Sequence, residues 1–139
     1  TKAYAAGLID GEGYIGISHQ TSGRAKNSNY QLRVAISMTT KQSVEFMKTY
    51  FGGNYYIKPL EEKHKPLFMW AVSGDNASQI LRLILPYLQV KKQQALLAIK
   101  FRDEWQSQKD RGRKRCRPEV IEAREIIYKQ MRILNKKGG

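Results

Sequence analysis

Near its N-terminus the chain reads Tyr4-Ala5-Ala6-Gly7-Leu8-Ile9-Asp10-Gly11-Glu12-Gly13, a run of small residues that leads directly into two acidic residues. The small residues at positions 5 to 7 let a second helix backbone approach closely. Gly11 and Gly13 are expected to break the helix, to adopt unusual backbone angles and so to leave Glu12 on a sharp turn. The segment therefore predicts a close helix contact that ends at an acidic centre.

The acidic centre has the donor atoms of a divalent-cation site. The Glu12 carboxylate and the free carbonyl of Gly11 are hard oxygen ligands, which suit Mg²⁺. The plain alternative is a short amphipathic helix with a glycine stop, because so short a motif is only a hypothesis.

Hydrophobic periodicity predicts an α+β fold. Two-residue alternation predicts strands over residues 14–20, 30–38, 54–60 and 66–73, paired as two hairpins. Spacings of three and four predict helices over 39–51, from 75 or 76 to 86, over 92–109 and from 118 onward, and Thr39 with Gln42 forms a candidate capping box. The order is αββαββα, with a four-stranded antiparallel sheet and further C-terminal helices. At 139 residues we expect a single domain, with a core over 1–107, a basic loop over 108–117 and a last helix over 118–136.

The charge balance favours a polyanionic partner. The chain has 25 Lys and Arg against 12 Asp and Glu, a net charge of +13. No window approaches a membrane span and no signal-peptide pattern is present, so we expect an intracellular protein that is not secreted. The single Cys116 and the two histidines cannot form an internal disulfide or a zinc site.

One face of the predicted sheet stays open and carries polar side chains. Strands fit the major groove of DNA, where Arg and Gln read guanine and adenine edges. The alternative is an ordinary solvated sheet face. The candidate DNA-contacting residues on the strands are Tyr14, Ser18, Gln20, Gln31, Arg33, Ser37, Tyr56 and Lys58, and Arg24, Lys26 and Lys92 join them from outside the strands. The basic run over 109–117 is either a solvated linker or a phosphate-contacting segment.

Three other conspicuous side chains are expected to pack. His19 alternates inward and is interpreted as a hydrogen-bonded packing residue rather than a general base. Trp70 lies on a strand that is apolar on both faces and is assigned to the core, with a DNA-facing position as the alternative. Phe101 belongs to an aromatic helical stripe and is also assigned to the core.

The N-terminal segment resembles the signature of the LAGLIDADG homing endonucleases. Ala5 replaces the first leucine, and Glu12 stands where aspartate is usual. The direct matches include Gly7, Leu8, Ile9, Asp10 and Gly13. A second stretch, residues 86–95, resembles the lysine-bearing helix entry of single-motif members. The resemblance covers nearly all of residues 1–107.

The resemblance implies a homodimer and a set of active-site roles. Ala5, Ala6 and Gly7 would form the dimer contact, with Asp10 beside it bonding backbone N–H groups rather than metal. Glu12 and the Gly11 carbonyl would hold Mg²⁺, with Mn²⁺ as a substitute and Ca²⁺ binding without supporting cleavage. Lys91, with Lys92 as the near alternative, would stabilise the charged transition state. Thr40 stands where relatives use a polar residue, often glutamine, to order water.

The implied function is site-specific, metal-dependent double-strand cleavage of a long, near-palindromic DNA target in intron homing. The enzyme would act with the target genome, in an organelle or a prokaryotic cytoplasm. A non-cleaving intron maturase that binds RNA would keep the basic sheet but need neither Glu12 nor Lys91. A ribonucleoprotein-type RNA-binding module is disfavoured, because its strand-borne aromatic motif is missing.

Overall fold

The computed structural model describes residues 1–21, 28–58, 66–105 and 118–138. Helices and strands follow one another in the predicted order. The elements are α1 (Lys2–Glu12), β1 (Gly13–Thr21), β2 (Ser28–Met38), α2 (Lys41–Phe51), β3 (Asn54–Lys58), β4 (Leu67–Ser73), α3 (Gly74–Ile84), a 3₁₀ turn (Leu85–Tyr87), α4 (Lys92–Lys100), a π-helical turn (Phe101–Trp105) and α5 (Pro118–Gly138). The αββαββα prediction with C-terminal helices is confirmed.

The four strands form one antiparallel sheet in the order β1-β2-β4-β3. The register sets the faces, since Gly13 pairs with Ile36 and Ile36 with Trp70. Every second residue along each strand, counted from Gly13, Ile36 and Trp70, points to the same side of the sheet, which is buried against the helices. This inner face includes Ile15, Ile17, Leu32, Val34, Ile36, Trp70 and Val72. The other face is left open for contact.

The side chain of Trp70 fills the centre of the core. It is 0% exposed, and its indole N–H donates a hydrogen bond to the Gly52 carbonyl at 2.6 Å. Gly52 and Gly53 have φ of 70° and 91°, which lets the chain turn from α2 into β3 without steric strain. Phe101 is also 0% exposed. The core assignments of Trp70 and Phe101 are confirmed.

Two predicted helix details are wrong. The N-cap of α2 is Thr40 rather than Thr39, and no side-chain hydrogen bond caps the helix, so the capping box is absent. The helix predicted over 92–109 is α-helical only to Lys100, after which the π-helical turn begins. Two ion pairs join that turn to α3: Arg102 binds Asp75, and Asp103 binds Arg82. Residues beyond 105 up to 117, including the predicted basic loop, lie outside the described part of the chain.

Helix α5 lies along β1, the edge strand of the sheet. Asn135 donates its amide N–H to the Ile15 carbonyl at 3.0 Å, which satisfies a backbone group at the open edge. Further along, the rings of His19 and Tyr30 stack at 4.3 Å, and Tyr128 packs edge-on against both. The prediction that His19 packs is confirmed, whereas the hydrogen bond expected of it is not formed by Nε2, which is buried without a partner among the described residues. None of the helices in the described ranges is long and apolar enough to cross a membrane.

Candidate active site and nucleic-acid interface

The two acidic residues at the end of α1 have different environments. The Asp10 carboxylate accepts three backbone N–H groups: Gln89 at 2.7 Å, Val90 at 3.2 Å and Lys91 at 2.9 Å. These donors lie just before α4, where helical N–H groups have no partner within the helix. Asp10 therefore holds the start of α4 against the end of α1. Its expected role as an acceptor of backbone N–H groups is confirmed.

Glu12 is the last residue of α1, and its side chain is exposed. It forms no hydrogen bond or ion pair with any residue in the described ranges. The carboxyl end of a helix carries partial negative charge and unpaired carbonyl oxygens, and the last turn of α1 has no basic residue. The Glu12 carboxylate and these carbonyls are consequently free to take up a cation.

The turn from α1 into β1 differs from its prediction. Gly11 lies within the helix, and Gly13 is extended at φ −95° and ψ 172°, so neither residue adopts a left-handed conformation. The requirement at Gly13 is for space, because a Cβ there would lie 2.6 Å from the Ile9 Cα atom and 2.7 Å from its carbonyl oxygen. The close backbone passage fixes the direction in which Glu12 leaves the helix.

The small residues of α1 are divided between the core and the surface. Ala5 and Ala6 are both 0% exposed within the chain itself, so they have no surface left for a second copy. The dimer assignment of these two residues is wrong. Ala3, Gly7 and Gly11 form an exposed stripe at four-residue spacing, and a Cβ at Gly7 or Gly11 would meet nothing within 4 Å. This small-residue stripe is the surface at which another backbone can approach.

The structure brings two of the predicted catalytic positions to the same end of the sheet as Glu12. Lys91 is held there by Asp10, and it is only 5% exposed, whereas Lys92 is exposed. Thr40 follows the end of β2, beyond the residue pair of Gly13 and Ile36. Its hydroxyl is not used to cap α2. No group of three or more His, Cys, Asp or Glu side chains that could hold a metal lies within the described residues.

The open face of the sheet presents the predicted polar residues. Strand register places Tyr14, Ser18, Gln31, Arg33, Ser37, Tyr56 and Lys58 on this face. The predicted alternation of inward and outward side chains is therefore confirmed for β3 as well as for the first hairpin. Arg24, Lys26 and the side chain of Gln20 lie outside the described residues.

The middle of the open face has a polar hollow of about 300 Å³ lined by Gln31, Arg33, Asn54, Tyr56 and Ser73, among others. The sequence analysis did not identify Asn54 and Ser73, although the alternation of β4 places Ser73 beside Arg33.

The side chain of Tyr14 lies over Gly16, where a Cβ would meet the tyrosine hydroxyl at 2.0 Å. Burial, and next the nearby Tyr128, raise the pKa of the Tyr14 phenol, while Arg33 and Arg132 lower it. A neutral phenol is the form that can donate a hydrogen bond beside Arg33.

A family comparison agrees with this geometry. The model of the LAGLIDADG endonuclease family matches residues 5–103, which include most of α1, the whole sheet and α4. The chain belongs to the LAGLIDADG endonuclease family. A comparison with curated proteins found no match.

Solved LAGLIDADG structures share the fold at low sequence identity. One of them is the homing endonuclease I-CvuI, which was solved in complex with the I-CreI target in the presence of 2 mM Mg, with the DNA not cleaved. Its TM-score is 0.76 at 18% sequence identity, and the match covers 96% of this chain and 80% of that one. The archaeal intron-encoded homing endonuclease I-Vdi141I, complexed with DNA, gives 0.75 at 13% identity over 96% and 82%. I-GzeII in complex with its DNA target gives 0.64 at 16% identity, and here the match covers 96% of this chain but 43% of the other.

This LAGLIDADG chain has one copy of the motif, in which Glu12 is the one carboxylate without a partner among the described residues. Asp10, the other acid of the motif, is occupied by backbone N–H groups. One chain therefore supplies a single exposed carboxylate at the end of α1.

Proposed function

We propose that this protein is a site-specific DNA endonuclease that works as a homodimer and makes Mg²⁺-dependent double-strand breaks in a long, near-palindromic target. The observation that carries the proposal is the difference between the two motif acids. Asp10 is saturated with hydrogen bonds, while Glu12, two residues later, is exposed and unpartnered among the described residues. An exposed carboxylate held on a rigid helix end is suited to bind a cation.

The donors at the end of α1 fit a magnesium site in their chemistry. Glu12 and the Gly11 carbonyl provide oxygen ligands, and an ion with few protein ligands completes its shell with water and phosphate oxygens. A bound divalent ion supplies Lewis acidity that activates water and stabilises the leaving oxygen. Glu12 holds the ion at the end of α1, and Gly13 keeps that end in place through its close approach to Ile9.

Lys91 and Thr40 have supporting roles in this proposal. Asp10 fixes the Lys91 backbone beside the end of α1, which supports a role for this lysine at the proposed metal site. Its positive charge stabilises the negative charge that develops in phosphodiester cleavage. The Thr40 hydroxyl, which is exposed and free of a capping role, positions water. Lys92 is exposed at the start of α4 and contacts the DNA backbone.

A homodimer follows from the count of acidic groups and from the surface of α1. Cutting two strands requires two carboxylates, and each chain provides one. Packing the stripe of Ala3, Gly7 and Gly11 against its counterpart brings two copies of Glu12 to the dimer axis. The dimer has a formal charge of 13 + 13 = +26.

The open sheet face supports DNA as the partner. Its polar residues and the polar hollow match the donor and acceptor pattern of base edges in the major groove. The large positive charge attracts the phosphate backbone, so affinity should fall by about 0.9 log units per tenfold rise in salt for each phosphate contacted. The DNA complexes of I-CvuI and I-Vdi141I are consistent with this use of the fold.

The test begins by incubating the protein with a randomised target library in Mg²⁺ and sequencing the cut ends. Glu12→Gln is then compared with wild type on the recovered target, using single-turnover cleavage beside a binding titration. Glu12→Gln keeps size but removes the charge that binds metal, so cleavage should fall to background while DNA binding survives. The matched control is Glu45→Gln, which removes an exposed carboxylate of α2 that pairs only with Lys41 among the described residues.

The outcomes separate the candidate functions. Cutting in Mg²⁺ or Mn²⁺, binding without cutting in Ca²⁺, and loss only in Glu12→Gln support the endonuclease. Undiminished cutting by Glu12→Gln contradicts the role of Glu12. A wild-type protein that binds nucleic acid but never cuts favours a maturase instead.

A further inference from the structure

Arg33 and Tyr56 are joined across the open face of the sheet. The Arg33 guanidinium donates a hydrogen bond from Nη2 to the Tyr56 hydroxyl at 3.1 Å. Arg33 lies on β2 opposite Ser73, and Tyr56 lies on β3 opposite Met69. The bond therefore crosses β4 diagonally, and it joins two strands that do not pair with each other.

Ala71 lies under this bond. It is the outward residue of β4 between Ser73 and Met69, and it pairs with Ala35 on one side and Asn54 on the other. Its side chain is only 7% exposed although it points to the open face, and it lines the same hollow as Arg33 and Tyr56. A longer side chain at position 71 would occupy the space that the bond crosses.

The bond restricts a side chain that is otherwise flexible. An arginine head group has five N–H donors, and Tyr56 takes one of them. Four remain, and reading the O6 and N7 atoms of guanine uses two. Holding the guanidinium plane before DNA arrives reduces the rotamer freedom that is lost on binding. A freely rotating arginine would instead reach phosphate oxygens as readily as a base edge, and it would discriminate less between sequences.

We propose that Tyr56 is a positioning residue that orients Arg33 to read one guanine in each half-site, and that Ala71 is small because the bond passes over it. The proposal rests on the proposed DNA-binding function. It assigns sequence discrimination to the pair and not to the arginine alone. General attraction to phosphate depends on charge, which Tyr56 does not carry.

The first measurement uses the free protein. Nitrogen-15 NMR of the Arg33 guanidinium reports its rotation, which should be slow in wild type and faster in Tyr56→Phe. Tyr50→Phe is the matched control, because Tyr50 is a tyrosine of α2 that is 60% exposed and distant from the open face. Equal Arg33 dynamics in wild type and Tyr56→Phe would overturn the proposal without involving DNA.

The second measurement is selection from a randomised duplex library. Tyr56→Phe should lower the guanine preference at one position per half-site by roughly threefold to tenfold, the net effect of losing one typical exposed hydrogen bond. The control Tyr50→Phe should leave the guanine preference, the affinity for non-specific DNA and its salt dependence as in wild type. Ala71→Leu should lower the same preference by displacing the bond. Tyr56→Phe added to Arg33→Ala should have no further effect at that position.

The possible failures can be distinguished. A wild-type protein that binds no DNA contradicts the proposed function, and the role of Tyr56 then falls with it. Sequence-selective binding by wild type together with an unchanged profile for Tyr56→Phe contradicts the positioning role alone. An effect of Tyr56→Phe that persists in the Arg33→Ala background would show that Tyr56 reads a base itself, and this also overturns the proposal.

Discussion

The Asp10 carboxylate accepts the backbone N–H of Lys91 at 2.9 Å, although the two residues are 81 positions apart in the sequence. Asp10 lies in the last turn of α1, two residues before Glu12, and Lys91 is the N-cap of α4. The bond joins the two stretches that carry the family resemblance. A carboxylate that is occupied by backbone N–H groups thus determines where Lys91, the proposed catalytic lysine, lies.

Asp10→Asn should destabilise the protein and displace Lys91. An amide has one acceptor oxygen where the carboxylate has two, and its NH₂ group faces N–H donors that it cannot satisfy. We expect a loss of about 1–3 kcal/mol in the free energy of unfolding, measured by urea denaturation. Cleavage should also slow, because Lys91 is no longer fixed. Glu45→Gln controls for the loss of a surface charge, and equal stability of Asp10→Asn and wild type would contradict the anchoring role.

Gly13→Ala and Gly7→Ala should change stability in opposite directions. A Cβ at Gly13 meets the Ile9 backbone at 2.6 Å, so the turn must shift at a cost of about 1–3 kcal/mol. A Cβ at Gly7 meets nothing within 4 Å, and alanine favours the helix by about 0.5–1 kcal/mol in the isolated chain. Thermal unfolding at low protein concentration checks both. A Gly13→Ala variant as stable as wild type would show that the turn is not sterically constrained.

Gly7→Leu should convert the proposed dimer into a monomer that remains folded. The side chain would project from the exposed stripe of α1 and separate the two helices. Light scattering at micromolar concentration measures the mass, and circular dichroism checks the fold. Thr49→Leu, on the exposed side of α2, is the control for an added surface leucine. Ala6→Leu is unsuitable for this purpose, since Ala6 is 0% exposed and its replacement would disturb the core. A wild-type monomer in the presence of target DNA would refute the dimer.

Lys91→Met should slow cleavage by orders of magnitude while DNA affinity changes little. The lysine charge would act mainly on the transition state, so its loss lowers kcat rather than weakening binding. Lys92→Met, one residue further along, should weaken binding slightly and leave the single-turnover rate nearly unchanged. The reverse pattern would transfer the catalytic role to Lys92, which is the exposed member of the pair.

The sheet faces could be read from the sequence because side chains alternate in any strand. Two-residue periodicity separates Ile15 from Tyr14 and Leu32 from Arg33, and the strand register agrees with both. The αββαββα order could likewise be predicted, because helices and strands differ in the spacing of their apolar residues. Local errors arose where a local rule competes with packing, as at Thr39, whose capping box does not form.

The N-terminal motif identified the acidic centre but not the arrangement around it. Consecutive small residues on a helix lie on different faces, and the sequence alone does not say which face packs against the core. In the structure Ala5 and Ala6 face the core, and Gly7 faces outward. The motif predicts a glycine at position 13, but the structure requires it because the Ile9 backbone leaves no space for a Cβ, and not because of an unusual φ.

The sequence by itself determined the family, the order of elements and the identity of the free carboxylate, because these depend on local periodicity and on a contiguous motif. Tertiary structure alone decided the contacts between distant residues: Asp10 with Lys91, and Arg33 with Tyr56. Each of these is a hydrogen bond whose partners are brought together only when the helices and strands pack. The physical reason is that spacing along the chain fixes the face of an element, while the neighbour on that face is fixed by the packing of the whole core.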